Sequence, residues 1–203
     1  VVNRTTVDRR GTKLFLMPPK DHPPREFLAS RDQWFRPVNL ATGPDGDLYV
    51  VDMYREIIED YSAVPRFMQQ QYGLIKGQDR GRIWRVTRAD ATRAKPMRLA
   101  RASGEELVAA LAHPNAIWRQ TAQRLLVERG DRSVMAAVER IVREGPTPQS
   151  MLHALYTLDG LNALDAALVE SAIGDAHFAV RVHALRLADA RLAKRDTLLA
   201  RVI

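Results

Sequence analysis

The sequence predicts an α+β protein in which the two kinds of structure are segregated along the chain. Strands and loops occupy residues 1–88, a basic linker covers 89–102, and helices fill 103–203. Three observations predict this. Apolar residues alternate in short runs before residue 88 and recur at +3 and +4 from Ser103 onward. Turns containing Gly and Pro punctuate the first part, whereas short polar breakers cut the second into helical lengths. The second part also repeats itself at an offset of 62 residues.

Taken in order, "VVNRTTV" and "TKLFLMP" flank "DRRG" and predict a hairpin whose turn lies in those four residues. "PPKDHPP" then blocks regular structure, because each proline fixes φ and removes a donor. "RPVNLAT" and "DLYVVD" are two strands separated by "GPDG", where Pro44 presets φ and Gly46 supplies a left-handed position. The stretch 57–79 is too long for a tight turn and holds the helix-like "VPRFMQQQYG"; we expect an ordered excursion serving as a lid or a partner contact. "GRIWRVT" returns as a further strand, with Asp79, Arg80 and Arg82 anchoring it.

"SGEE" opens the helical part with Ser103 as N-cap and Glu106 three residues on, the pattern of a capping box. Trp118, Ala122 and Leu125, then Val134, Val138 and Ile141, then Val180, Ala184 and Leu187 share the +4, +3 spacing of a buried helix face. The breakers "HPN", "RGD", "GPTP" and "GDAH" predict helices of about 10 to 15 residues. "LAHPNAIWRQTAQRL" aligns with "IGDAHFAVRVHALRL", matching Arg119 to Arg181, Ala122 to Ala184 and Leu125 to Leu187. "LHALYTL" supplies an intermediate copy. A unit of about 30 residues with Arg in its second helix resembles the HEAT repeat, and two to three such units predict a short α-solenoid.

Composition bounds the chemistry. The 203 residues are 46% hydrophobic and contain no cysteine, which excludes disulfides, thiolate metal sites, Cys nucleophiles and covalently attached haem within this chain. Val1 in place of Met leads us to expect a segment of a longer protein. The net charge of +7 lies entirely in 1–102, since the remainder holds 12 basic and 12 acidic residues. Residues 80–101 carry eight Arg or Lys against one Asp, a solvated linker with no groove-reading helix beside it, so nucleic acid is not the expected partner. The balanced charge of the helical part argues against a DNA-gripping solenoid, and the HEAT resemblance implies a spacer or a protein-binding surface instead. The five histidines form no metal motif, and His153 and His183, at equivalent repeat positions, are expected to pack or cap. Motifs of hydrolases, NTPases and dinucleotide-binding folds are absent.

The strand part leaves sheet edges open, which folded proteins avoid, and one architecture that resolves this is the β-propeller. The residues "EFLASRDQWFRPVNLATGPDGDLYVVDMYREIIE", "GQDRGRIWRV" and "LVAALAHPNAIWRQTAQRLLVERGD" together resemble the PVC-type membrane-bound dehydrogenases. That family joins a glucose/sorbosone dehydrogenase-like propeller to HEAT repeats and commonly to a C-terminal cytochrome c domain. The resemblance implies that residues 1–88 are the last part of a propeller. It implies a periplasmic or cell-envelope location and a parent enzyme that oxidises a sugar or alcohol with pyrroloquinoline quinone and calcium. Haem c would sit in a domain outside this chain, and the general base on other blades, leaving the 203 residues inactive by themselves. The partners implied are those remaining blades and the cytochrome. The alternative, from a different class, is a non-catalytic scaffold that binds a protein or polysaccharide.

In such a blade "GPDG" is a bottom turn, while "WFRPVN" and "DMYRE" meet at the top. The candidate rim residues are therefore Arg36, Asn39, Asp52, Tyr54, Arg55 and Glu56. An Arg there can present a planar fork to a carboxylated quinone or an anionic substrate, and Asp52 with Asn39 can offer oxygens to calcium. The competing structural role is that Arg–Asp pairs hold loops together while Tyr54 and Trp34 cap the core.

Overall fold

The structure is a computed structural model that describes residues 1–10, 13–20, 26–58, 63–72, 76–90, 92 and 95–192. Among them are five strands and seven α-helices, an α+β chain with its strands first and, apart from one short helix, its helices last. It divides into two compact units, Val1–Gly43 with Asp47–Thr92, and Pro44–Gly46 with Arg93–Ile203.

In the first unit, β1 (Thr6–Arg10) and β2 (Lys13–Met17) form an antiparallel hairpin. The expected turn in "DRRG" is corrected in part: Asp8, Arg9 and Arg10 continue β1 opposite Phe15, Leu14 and Lys13, and Gly11 lies outside the described residues. Strand alternation explains the difference, because it puts Asp8 and Arg10 on one face, where Arg10 Nε donates to Asp8 Oδ2 at 2.9 Å and the guanidinium lies 5.1 Å from the Phe15 ring. The proline-rich block at 18–24 lies partly outside the described residues.

A second sheet has the order β3 (Pro37–Thr42), β4 (Leu48–Asp52), β5 (Arg82–Val86), all antiparallel. The turn between β3 and β4 closes with Gly43 N–H donating to Asp47 O at 2.8 Å, and Gly46 adopts φ 85° as its position requires. Val50 at the centre of β4 is fully buried, in register with Leu40 and Trp84; Val51 is in register with Asn39 and Ile83. Both faces keep exposed apolar side chains, Leu40 and Trp84 on one and Ile83 on the other. The excursion between β4 and β5 contains the short helix α1 (Arg66–Tyr72) and is otherwise partly outside the described residues.

The second unit holds three helix pairs: α2 (Gly104–Ala110) with α3 (Ala116–Arg129), α4 (Met135–Glu144) with α5 (Pro148–Gly160), and α6 (Ala166–Ile173) with α7 (Phe178–Leu192). The first members pack α2 on α4 on α6 and the second members α3 on α5 on α7, which makes two layers. α2 and α6, at seven and eight residues, are shorter than expected, whereas α4, at ten, falls within the expected range. Ser103 and Glu106 form the expected capping box, Asn115 caps α3, Asp165 caps α6, and Thr147 with Ser150 caps α5 ahead of Pro148. Ala122, Val138, Val180 and Ala184 are fully buried as the spacing predicts; Leu126 and Val142 join the core beside the half-buried Leu125 and Ile141.

The 62-residue repeat is visible as hydrogen bonding. Arg119 Nη1 donates to the carbonyls of His113 and Pro114, both at 2.7 Å, and Arg181 Nη1 donates to those of Asp175 and Ala176, both at 2.8 Å. In α5 the corresponding helix start uses buried Ser150, whose Oγ donates to Thr147 O at 2.7 Å. The end of the Arg-rich linker is structured: a 3-10 turn at Leu99–Arg101 is clamped by Arg129, whose guanidinium donates to the carbonyls of Leu99, Ala100 and Ala102. No helix among the described residues is long and apolar enough to cross a membrane.

His153 and His183 bridge neighbouring helices of the second layer, His153 Nδ1 to Gln123 Oε1 at 2.7 Å and His183 Nδ1 to Tyr156 Oη at 2.9 Å. Burial, and secondarily the Arg119 guanidinium, hold the His153 imidazole below its ordinary value of 6.5. The unfolded chain therefore takes up this proton more readily than the folded one. Stability from this group is complete above the unfolded value and falls as pH drops below it. The thermal midpoint of the helical unit will decline between about pH 7 and about pH 5, and more shallowly in His153→Gln, as circular dichroism at 222 nm can follow. An equal slope in the variant would remove His153 as the cause.

Candidate functional site

β3 and β4 continue to pair beyond their formal ends. Pro37 lies opposite Asp52, Met53 N–H donates to Arg36 O at 2.9 Å, and Arg55 N–H donates to Trp34 O at 3.1 Å. The segments 34–36 and 53–55 are thus brought together at one end of the sheet; three of the six candidate residues, Arg36, Tyr54 and Arg55, lie on them, and Asp52 and Glu56 flank the second.

Asp52 is the hub. Only 1% exposed, its Oδ1 accepts from the backbone N–H of Arg36 (2.8 Å) and of Tyr54 (3.1 Å), and its Oδ2 accepts from Trp84 Nε1 (3.0 Å). Arg82 Nε stands 3.8 Å from Oδ2. Three donors and a nearby cation meet the requirement that a buried carboxylate be both hydrogen-bonded and paired. The bond to Tyr54 N also holds that residue at φ 50°, a left-handed conformation unusual for an aromatic side chain.

Arg36 and Arg55 are occupied by the backbone. Arg36 donates to the carbonyls of Gln33, Phe35 and Glu56, and Arg55 to those of Tyr54, Gly77 and Gln78. Each ties its own strand end to a segment about 20 residues away. Gly77, at φ 86°, makes the second of these ties possible, since a Cβ there would overlap Tyr54 O. Glu56 pairs with Lys76, Oε2 to Nζ at 3.4 Å, outside hydrogen-bonding geometry.

Asn39 is not brought to this cluster. A register shift between Pro37 and Asn39 leaves it opposite Val51, whose side chain leaves the sheet on the face away from Asp52, and its Oδ1 accepts from Leu40 N–H. The expected oxygen pair of Asp52 and Asn39 is therefore not formed, and both oxygens of Asp52 already serve N–H donors. These two residues do not fit a calcium site as they stand. Among the described residues no group of three or more His, Asp or Glu is arranged to hold a metal ion.

Three contributors escaped the sequence reading in this role. Asp32 Oδ1 accepts from Trp34 N–H at 2.9 Å, the same i to i+2 turn that Asp52 makes with Tyr54. The two turns lie side by side, and the rings they position, Trp34 and Tyr54, meet edge to face at 5.6 Å. The Trp34 N–H, then the Tyr54 hydroxyl, and more weakly Arg82 and Arg36, hold the Asp32 carboxyl below its ordinary value. Trp84 reaches Asp52 from the third strand. Arg82 lies with its guanidinium carbon 3.6 Å from the Tyr54 ring centroid, and Nε donates to Arg80 O at 3.1 Å. Asp-x-aromatic was the available signal for the turns; nothing local marks Arg82 or Trp84. A shallow cavity of about 350 Å³ opens beside this cluster, bounded by Val38, Val51, Met53, Arg55, Arg82 and Ile83 among others.

A family model described as a domain of unknown function, DUF7133, matches residues 1–90. No curated protein and no solved structure matches the chain.

Removing the hub exposes its importance directly. Asp52→Ala leaves three donors without an acceptor and will cost about 3 to 5 kcal/mol in urea unfolding followed by tryptophan fluorescence. Asp52→Asn keeps Oδ1 but turns a donor toward Trp84, and will cost about 1 to 3 kcal/mol. Gly77→Ala combines a left-handed backbone with overlap at Tyr54 O and will cost about 2 to 4 kcal/mol in the same measurement.

Proposed function

We propose that residues 1–88 are closing sheets of a β-propeller of the glucose/sorbosone dehydrogenase-like kind, that the helix pairs are a HEAT-type solenoid, and that the parent protein is a PVC-type dehydrogenase of the cell envelope. In this reading the parent oxidises a sugar or alcohol, pyrroloquinoline quinone with calcium supplies the hydride-accepting chemistry, and a cytochrome c domain outside this chain takes the electrons. The observation that supports the architecture is the two-faced β3–β4–β5 sheet. Leu40 and Trp84 on one face and Ile83 on the other stand exposed, as they do on a sheet built to lie between two others. The combination of "WFRPV", "GPDG" with "LYVVDMYRE", and "DRGRIWRV" supports the family.

Within that parent, the share of this chain is to shape and hold the rim. Arg36 and Arg55 are spent on backbone carbonyls and Asp52 on N–H donors, so their geometry is that of a fastening. That same observation favours a second reading, a scaffold without catalysis whose helical layer binds a protein.

The longer protein distinguishes the two. Supplied with pyrroloquinoline quinone and calcium, it will reduce a redox dye when aldoses or simple alcohols are added, while the 203-residue chain will not. A folded full-length protein that binds neither quinone nor calcium would leave the scaffold reading standing alone.

A further inference from the structure

The three second-layer helices match in sequence but differ in what covers them. Each has one side on which it receives the next helix. On α3 that side carries Gln123, which bonds His153, and Val127, a methyl of which would stand 2.7 Å from a Cβ placed on Gly160 of α5. On α5 it carries Leu155, which is fully buried, and Tyr156, which bonds His183. The repeat register puts Leu185, Arg186 and Asp189 at these places on α7. There all three are exposed, Leu185 by 39%, and Phe178 and Val182 extend the stripe at 40% and 43%. Positions 178, 182, 185 and 189 share one helix face, opposite the buried Val180, Ala184 and Leu187.

A leucine that is dry on α5 and wet at the matching place on α7 marks a stacking surface without its neighbour, because the units of a solenoid bury their faces on one another. The sequence indicates which neighbour it is. The first-layer helices share a pattern of two adjacent apolar residues followed by two more at +4: "LVAALA" at 107–112, "AVERIV" at 137–142 and "LVESAI" at 168–173, at steps of 30 and 31 residues. "LLARVI" at 198–203 lies outside the described residues, but its sequence keeps the pattern and follows at the next step of 30.

We propose that the open side of α7 is the docking surface for a fourth helix pair of the same chain, opened by "LLARVI" and completed by a second helix that covers α7 as α7 covers α5. Arg186, in the place from which Tyr156 reaches His183, calls for a hydrogen-bond acceptor on that arriving helix. This surface requires the helix pairs to be an extendable array, the solenoid proposed above, and is indifferent to whether the parent is a dehydrogenase.

Because the chain has no cysteine, a single introduced thiol reports on its own surroundings. Leu185→Cys and, separately, Asp189→Cys in the 203-residue chain will react with N-ethylmaleimide at the rate of an exposed thiol, matching Ala136→Cys on the exposed side of α4. In the longer protein, with labelling read peptide by peptide by mass spectrometry, both will react about tenfold or more slowly than Ala136→Cys, as thiols reached only through local opening do. A chain extended by about one period, roughly 30 residues past Ile203, will be protected to the same degree. The proposal is overturned if both positions stay as reactive in the longer protein as in the 203-residue chain, or if protection requires residues beyond that period. Protection that appears in the 203-residue chain as its concentration rises would assign the surface to a second copy and overturn it equally. Dye reduction by the longer protein is a separate readout, so failure of one leaves the other standing.

Discussion

A carboxylate out of water is tolerable only when donors supply its oxygens, and Asp52 draws those donors from three places in the chain. Arg36 N–H comes from before β3, Tyr54 N–H from after β4, and Trp84 Nε1 from β5. The requirement of one side chain thus fixes how three strands end. Once Tyr54 is held in its left-handed conformation, its ring faces Trp34 on one side and Arg82 on the other, and its carbonyl sits where only a glycine at 77 can pass. Arg55 then closes the excursion onto the sheet through the Gly77 carbonyl. The cluster reads as a sequence of consequences, each depending on the one before it.

What could be read from the sequence divides along the range of the interactions. Gly46, the Ser103–Glu106 capping box and the Arg119–Arg181 correspondence are local or periodic, and each appears in the structure where its pattern places it. Asp52 was legible as a strand end facing the rim, but its commitment to N–H donors was not, because those donors lie 16 to 32 residues away or depend on an unusual φ. The separation of Asn39 from Asp52 follows from a register shift at Val38, and a single slipped residue moves a side chain to the opposite face without leaving a compositional trace. Arg82 looked like one more cation in an Arg-rich stretch. Its stacking on Tyr54 depends on the pairing of β4 with β5, which spans an excursion of nearly thirty residues.

The helical unit is organised differently. Its core is spread over repeated positions such as Ala122, Val138 and Ala184, so no single residue has the authority of Asp52. Neighbouring second-layer helices are also joined by polar bridges, Gln123 to His153 and Tyr156 to His183, at steps of about one repeat. Such bridges specify which turn of one helix meets which turn of the next, something that interchangeable aliphatic contacts do poorly.

The arginine clasps at the starts of α3 and α7 act within their own loops. Arg119 reaches back to residues 113 and 114, and Arg181 to 175 and 176, so neither borrows an acceptor from an adjacent repeat. A duplicated or excised stretch of DNA encoding one such period would carry its fastening with it. Each clasp is therefore portable in a physical sense, because the donor and both of its acceptors lie within seven consecutive residues.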